Sequence, residues 1–200
     1  MALQHAEAPA HDEFPPTAPL LAEIERLKRE ITVARARIGE LEARADIDPF
    51  LDILNRRGFE RELKRALAYV KRYGTQAALL FIDLDGFKAV NDRHGHRTGD
   101  ALLKAVTREL IAHVRASDVI GRLGGDEFGV VIWRVDEVQA SAKARELEVL
   151  IGKVGVMHGQ AQVQVGASVG TAQLLPDATT AGTIEAADVA MYARKDERRG

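Results

Sequence analysis

The chain contains no cysteine, which excludes disulfides, thiolate catalysis and cysteine-ligated zinc and agrees with a reducing compartment. It also lacks an apolar run long enough to span a membrane. The opening stretch MALQHAEAPAHDEF has neither the basic flank nor the apolar core of a secretion signal, so a cytoplasmic chain with no membrane association is expected. Charge of one sign is missing too, because 28 Lys and Arg against 30 Asp and Glu leave a formal net charge of −2. No global basic field is available to draw a nucleic acid polymer, so any anionic ligand has to be gripped by a local cluster. What is present is 46% hydrophobic residues in 200, enough for one sizeable core and an extension to it.

Residues 1–19 are rich in Ala, Pro, His and acids and read as a flexible tail. From Leu20 the apolar positions alternate in steps of four and three through Ile24, Leu27, Ile31, Ala34, Ile38, Leu41 and Ala45. That spacing predicts a coiled coil over 20–47, and isoleucine at a with leucine at d favours a parallel dimer. The flanking charges agree with this register, since Glu23 would face Lys28, Glu30 would face Arg35 and Arg37 would face Glu42 across two chains. Leu21 at an e position is the one irregularity. Such a seam runs roughly 39 Å at helical rise.

Residues 48–200 read as one globular domain. A helix is expected over Arg56 to Tyr73, a buried strand over Ala77 to Leu84 and a helix over Asp100 to Arg115. A hairpin follows around Gly124-Gly125-Asp126, then a helix from Val138 to Ile151, a strand from Val163 to Thr171 and a helix from Thr183 to Arg194. This order predicts an α+β fold, a ferredoxin-like palm whose central antiparallel sheet carries helices on one face.

Acidic residues stand where chemistry would need them. Asp83 and Asp85 end the first strand, with only one of the two expected to face a ligand over the sheet, and Asp126 and Glu127 occupy the hairpin tip. Hard oxygen ligands of this kind suit Mg²⁺ that keeps waters and binds phosphate. Taken singly, Gly-Gly-Asp is also an ordinary hairpin turn and Asp85-Gly86 an ordinary strand terminator.

The run GRLGGDEFGVV, with Gly124 to Phe128 at its centre, resembles the signature of the GGDEF-domain diguanylate cyclase family. FIDLDGFKAVNDRHGHRTGD, VGASVGTA and AADVAMYARK resemble that family's other blocks, in the same order, over about Asp48 to Arg199. The resemblance implies an enzyme that condenses two GTP into cyclic di-GMP as a homodimer. It implies that Asp83, the Leu84 carbonyl and Asp126 hold Mg²⁺ or Mn²⁺, with Glu127 a further ligand or a base. Lys88 joins Asp83, Asp126 and Glu127 in the implied catalytic set, and Lys88, Lys195 and Arg199 are implied to clamp the triphosphate. Asn91 and Asp100 fall where the family reads the guanine edge, and a carboxylate there selects GTP over ATP because adenine offers no matching donor pair. Asp100 is alternatively the N-cap of the helix it precedes. His94 and His96 invite a metal reading, weighed against simple turn packing.

Arg115 and Asp118 form an RxxD motif with five residues between Asp118 and Gly124, the family's spacing for product feedback inhibition. The sequence also departs from the family. Where it carries Thr-Gly, this chain has Leu51 and Asp52, and Arg198 and Gly200 replace the family's Gly and Asn around Arg199. The rival readings are a catalytically silent cyclic di-GMP receptor and a scaffold, and an unknown regulatory protein is a candidate partner of the coiled coil.

Overall fold

The computed structural model describes residues 17–197, so Arg199 and the expected tail through residue 16 lie outside the described residues. The chain divides between Glu42 and Ala43 into two units. The first holds most of helix α1 (Thr17–Ala45), whose Leu20, Ile24, Leu27 and Ile31 are exposed. Within this helix Arg26 pairs with Glu23 and Glu30, both at 2.6 Å, and Lys28 pairs with Glu25 at 3.0 Å. Of the charges expected to face a second chain, Glu23, Lys28 and Glu30 are therefore engaged along their own helix in the single chain. The side chains at 34–45 lie outside the described residues.

The second unit holds helices α2 (Arg56–Tyr73), α3 (Phe87–His94), α4 (His96–Ala112), α5 (Glu137–Gly152) and α6 (Thr180–Glu197). Its strands are β1 (Ile47–Asp48), β2 (Ile53–Leu54), β3 (Ala77–Asp85), β4 (Val119–Arg122), β5 (Glu127–Trp133), β6 (Gly155–His158), β7 (Ala161–Gln164) and β8 (Gly166–Gln173). Helix α2 matches the sequence reading because its ends are chemically marked. Asn55 accepts from the Gly58 amide at its start, and Gly74 closes it at φ 66° in the left-handed region.

Six strands form one sheet in the order β1-β2-β4-β5-β3-β8, with β6 and β7 pairing separately. The α+β palm is as expected, with one correction to its sheet. The sheet is mixed rather than purely antiparallel, because the junction strand β2 lies parallel to β4.

The helices also depart from the expected single layer. Ala78, Leu80, Ile82 and Leu84 of β3 pack with α4 and α5, whereas Ala77, Leu79 and Phe81 pack with α2 and α6. Helices thus cover both faces. The unbroken apolar run of β3 carried that information, since a strand buried on one side only alternates with polar residues. The predicted strand Val163–Thr171 is two strands, β7 and β8, separated at Val165, and β7 turns back on β6.

Candidate active site

Two strand ends meet in the middle of the sheet. β3 finishes at Asp85, β5 starts at Glu127, and their antiparallel register sets Asp83 directly opposite Glu127. Like charges facing each other across a ladder are destabilising, so the pair calls for a cation. The turn before Glu127 is drawn over the end of β3 by a hydrogen bond from the Leu84 amide to the Asp126 carbonyl, 3.2 Å. The Glu127 carboxylate folds back above Gly124, so that a Cβ at this glycine would displace the carboxylate from its place over the turn. Arg122 braces the same turn, donating to the Gly124 carbonyl at 2.9 Å and the Gly125 carbonyl at 2.8 Å.

Burial pushes the Asp126 carboxyl above the usual range, and the neighbouring Asp83 charge adds to it. Glu127 is pushed up chiefly by burial as well. The Arg56 guanidinium, 3.7 Å away, opposes the shift, while Asp126, Asp83 and Asp188 reinforce it. The answering positive charge comes from α6, where Lys195 forms an ion pair with Asp83 and lies 3.6 Å from Asp85. Ser168 of β8 also donates to Asp85, at 2.9 Å. The expectation that only one of Asp83 and Asp85 faces the ligand side is corrected here, since residues two apart on a strand share a face and both reach the same lysine.

These groups fit a divalent cation. The Asp83 charge raises the proton affinity of Asp126 and Glu127, a crowding that a metal would relieve, and the Lys195 ammonium already occupies a cationic position between Asp83 and Asp85. Among the described residues, no three His, Asp or Glu side chains form a ready-made cage. Mg²⁺ commonly takes one or two carboxylates and completes its shell with water and phosphate. The Leu84 side chain is buried in the core, so only its backbone carbonyl is a candidate ligand.

The α3–α4 corner gathers the expected nucleotide readers. Lys88 and Asn91 lie on α3 and Asp100 lies on α4, with Lys88 and Asp100 exposed. The Asn91 Oδ1 atom is buried without a hydrogen-bond partner, pressed against Gly99, where a Cβ would overlap it. The N-cap reading of Asp100 is overturned, because α4 begins at His96 after Gly95 and Asp100 is its fifth residue. His94 packs edge-on against His158 at 5.1 Å between ring centroids, which favours packing over ligation for that residue. Thr98 donates its hydroxyl proton to the His94 carbonyl at 2.9 Å, so the His158 Nδ1 beside it, also at 2.9 Å, carries the hydrogen of their contact.

Arg115 and Asp118 are brought together in a turn away from these carboxylates. Asp118 accepts from the Arg115 amide at 2.9 Å and from the Trp133 amide at 3.2 Å, and the Asp118 amide donates to the Arg115 carbonyl at 2.9 Å. A cavity of about 400 Å³ opens beside them, lined also by Trp133, Arg134 and Lys143. The length of β5, roughly 20 Å, separates Trp133 from Glu127. Sequence reasoning missed Arg56, Asp85 as a partner of Lys195, Arg122 and Arg134. Of these, Arg122 was the most findable, as a strand-end arginine directly ahead of a glycine turn whose carbonyls need donors.

Comparison with known proteins agrees with this architecture. The family model described as Diguanylate cyclase, GGDEF domain matches residues 45–200. The probable diguanylate cyclase DgcE of Escherichia coli (strain K12) is 36% identical over 174 residues, which is 86% of this chain and 16% of that protein. The chain likewise spans only 38% of the E. coli diguanylate cyclase DosC, so it covers less than half of these curated relatives. The crystal structure of the coiled coil and GGDEF domain of DgcB from Caulobacter crescentus in complex with c-di-GMP superposes with a TM-score of 0.74 at 26% identity, covering 89% of this chain and 95% of that one. Diguanylate cyclase SiaD from Pseudomonas aeruginosa, in complex with its activator SiaC, gives a TM-score of 0.72 at 27% identity over 90% of this chain and 71% of SiaD. A match across all but the first two residues of the second unit, with the signature on the turn that carries Asp126 and Glu127, makes this chain a member of the GGDEF-domain diguanylate cyclase family.

Proposed function

We propose that this protein condenses two molecules of GTP into cyclic di-GMP and two pyrophosphates. The observation that carries the reading is the crowding of Asp83, Asp126 and Glu127 at the junction of β3 and β5, with Lys195 as their counter-charge. In each half-reaction the ribose 3′-hydroxyl of one GTP attacks the α-phosphorus of the other. The new P–O bond forms as the bond to the β-phosphate bridging oxygen breaks, and the hydroxyl proton leaves to a base. Glu127 suits that base, because burial raises its proton affinity.

Asp83, Asp126 and the Leu84 carbonyl would hold Mg²⁺ or Mn²⁺, which when bound lowers the hydroxyl pKa and neutralises charge developing on phosphate. Lys88, Lys195 and Arg199 clamp the triphosphate, and Asp100 with Asn91 selects guanine by accepting from its N–H groups. The orphaned Asn91 Oδ1 supports this assignment, since a ligand donor would complete it.

The product is two-fold symmetric, so two domains must face each other. The exposed seam of Leu20, Ile24, Leu27 and Ile31 supports a parallel coiled-coil homodimer that brings them together at high effective concentration. Arg115 and Asp118, beside their cavity and remote from Asp126, are suited to bind the product and inhibit by feedback. The complex of SiaD with its activator SiaC supports a regulatory protein as a further partner. The test is incubation of the purified chain with GTP and Mg²⁺. Cyclic di-GMP by mass spectrometry, absent with Asp126→Ala, supports the enzyme over a silent receptor or scaffold, and GTP left intact overturns it.

A further inference from the structure

Glu148 is a charged residue on α5 that the proposed reaction does not use, yet its side chain is only 3% exposed. A buried carboxylate persists only where its lone pairs are filled. One oxygen of Glu148 accepts from the Val169 amide at 3.0 Å, and the other meets the Arg194 guanidinium at 2.9 Å. Val169 belongs to β8, the edge strand of the six-stranded sheet, and α5 and α6 cover opposite faces of that sheet. Glu148 therefore reaches around the open edge, satisfies an edge amide and ties the two helical layers together.

The residue following Arg194 is Lys195. Helix α6 lies close against β8, because a Cβ at Gly170 would collide with the Ala187 carbonyl and the Met191 amide. The buried stripe Ala187 and Met191 continues at helical spacing into positions 194 and 195, about 100° apart around the axis. The last turn of α6 thus delivers two cations to the sheet, Arg194 to Glu148 and Lys195 to Asp83 and Asp85. Gly170 sets how near the helix lies, and the Glu148–Arg194 pair sets its roll about its own axis.

We infer that Glu148 is a positioning residue for Lys195, locking the rotation of α6 so that the Lys195 ammonium stands over the carboxylates and is presented to nucleotide phosphate. This rests on the reading of Lys195 as a triphosphate clamp. Its signature is selective, because loss of the lock weakens binding of phosphate and leaves binding of the nucleoside unchanged.

The experiment is calorimetric titration of the full chain with 3′-deoxy-GTP, which lacks the attacking hydroxyl and does not turn over, and with guanosine, both in Mg²⁺. Lys195→Met is expected to weaken 3′-deoxy-GTP by roughly tenfold or more, the contribution of a charge-assisted hydrogen bond, without changing guanosine. Glu148→Gln, which keeps the acceptor for Val169 but loses the charge, is expected to weaken it about fivefold and to add nothing in the Lys195→Met background. Should Glu148→Gln fail to fold, the neutral pair Glu148→Gln with Arg194→Gln leaves no buried unpaired charge and is expected to behave the same way.

An unchanged 3′-deoxy-GTP affinity in Lys195→Met overturns the clamp reading and this inference with it. With the Lys195→Met loss intact, three results overturn the inference alone. They are no loss in Glu148→Gln or the neutral pair, equal loss for guanosine, and a further loss in the Lys195→Met background.

Discussion

The Asp48 carboxylate meets the Arg122 guanidinium at 3.1 Å, and that same guanidinium holds the carbonyls of Gly124 and Gly125. One residue of the junction segment is thereby linked to the turn that carries Asp126. Burial works against ionisation of Asp48, but hydrogen bonds from Arg122 and from the Phe50 and Leu51 amides outweigh it and hold the carboxyl below its usual range. A depressed carboxyl stabilises the fold above its unfolded-state pKa, and that stability is lost as pH falls through the folded value. Asp48→Asn is therefore expected to cost about 1–2 kcal/mol in urea denaturation at neutral pH, with the difference from wild type shrinking below roughly pH 4.

Asp52 stands in the left-handed region at φ 57°, a conformation that glycine ordinarily supplies. Aspartate tolerates this conformation and β-branched residues do not, so the junction keeps the glycine-like turn without the glycine. Asp52→Val is expected to lose about 1–2 kcal/mol of stability, whereas Asp52→Gly is expected to change it by less than about 1 kcal/mol. Chemical denaturation of the three proteins side by side measures both.

Asp126 sits in a cluster that is costly until a cation arrives. Asp126→Asn removes one of the crowded charges and is expected to raise the melting temperature of the metal-free protein by a few degrees, ~2–4 °C, while abolishing turnover. A lower melting temperature would show that the carboxylate is structural.

Arg115→Ala is expected to raise the yield of cyclic di-GMP and to remove product binding outside the active site. Arginine suits this role because it stacks on guanine and pairs with phosphate at once. Progress curves with added product check it, and inhibition equal to wild type counts against the site.

Deleting residues 1–45 is expected to abolish activity at low protein concentration and restore it at high concentration, since the seam supplies effective concentration and no catalytic group. Specific activity measured over a dilution series separates this from a seam with no dimerising role.

Much of this site was legible because local chemistry carries it. Asn55 and Gly74 mark the ends of α2, the glycine turn marks the hairpin, and GGDEF lies on that turn. What was not legible arises between distant elements. Glu148 and Arg194 are 46 residues apart and Asp83 and Lys195 are 112 apart, so neither pair leaves a periodic trace. The start of α4 is hidden in the sequence because Gly95 and Gly99 look like loop punctuation, whereas Gly95 precedes the helix and Gly99 gives room to Asn91. The second helical layer leaves no periodic mark, because a strand buried on both faces has no polar alternation.

Whether Asp83 and Asp126 share a divalent ion beside a guanine nucleotide is read by electron paramagnetic resonance of Mn²⁺ in the presence of 3′-deoxy-GTP. Protein-bound Mn²⁺ coupled to nucleotide phosphorus is expected, with affinity at least about tenfold weaker in Asp83→Asn and in Asp126→Asn, since metal ligation by carboxylate is the interaction removed. Mn²⁺ bound with full affinity in both variants, or bound with no phosphorus coupling, would contradict a shared ion at this site.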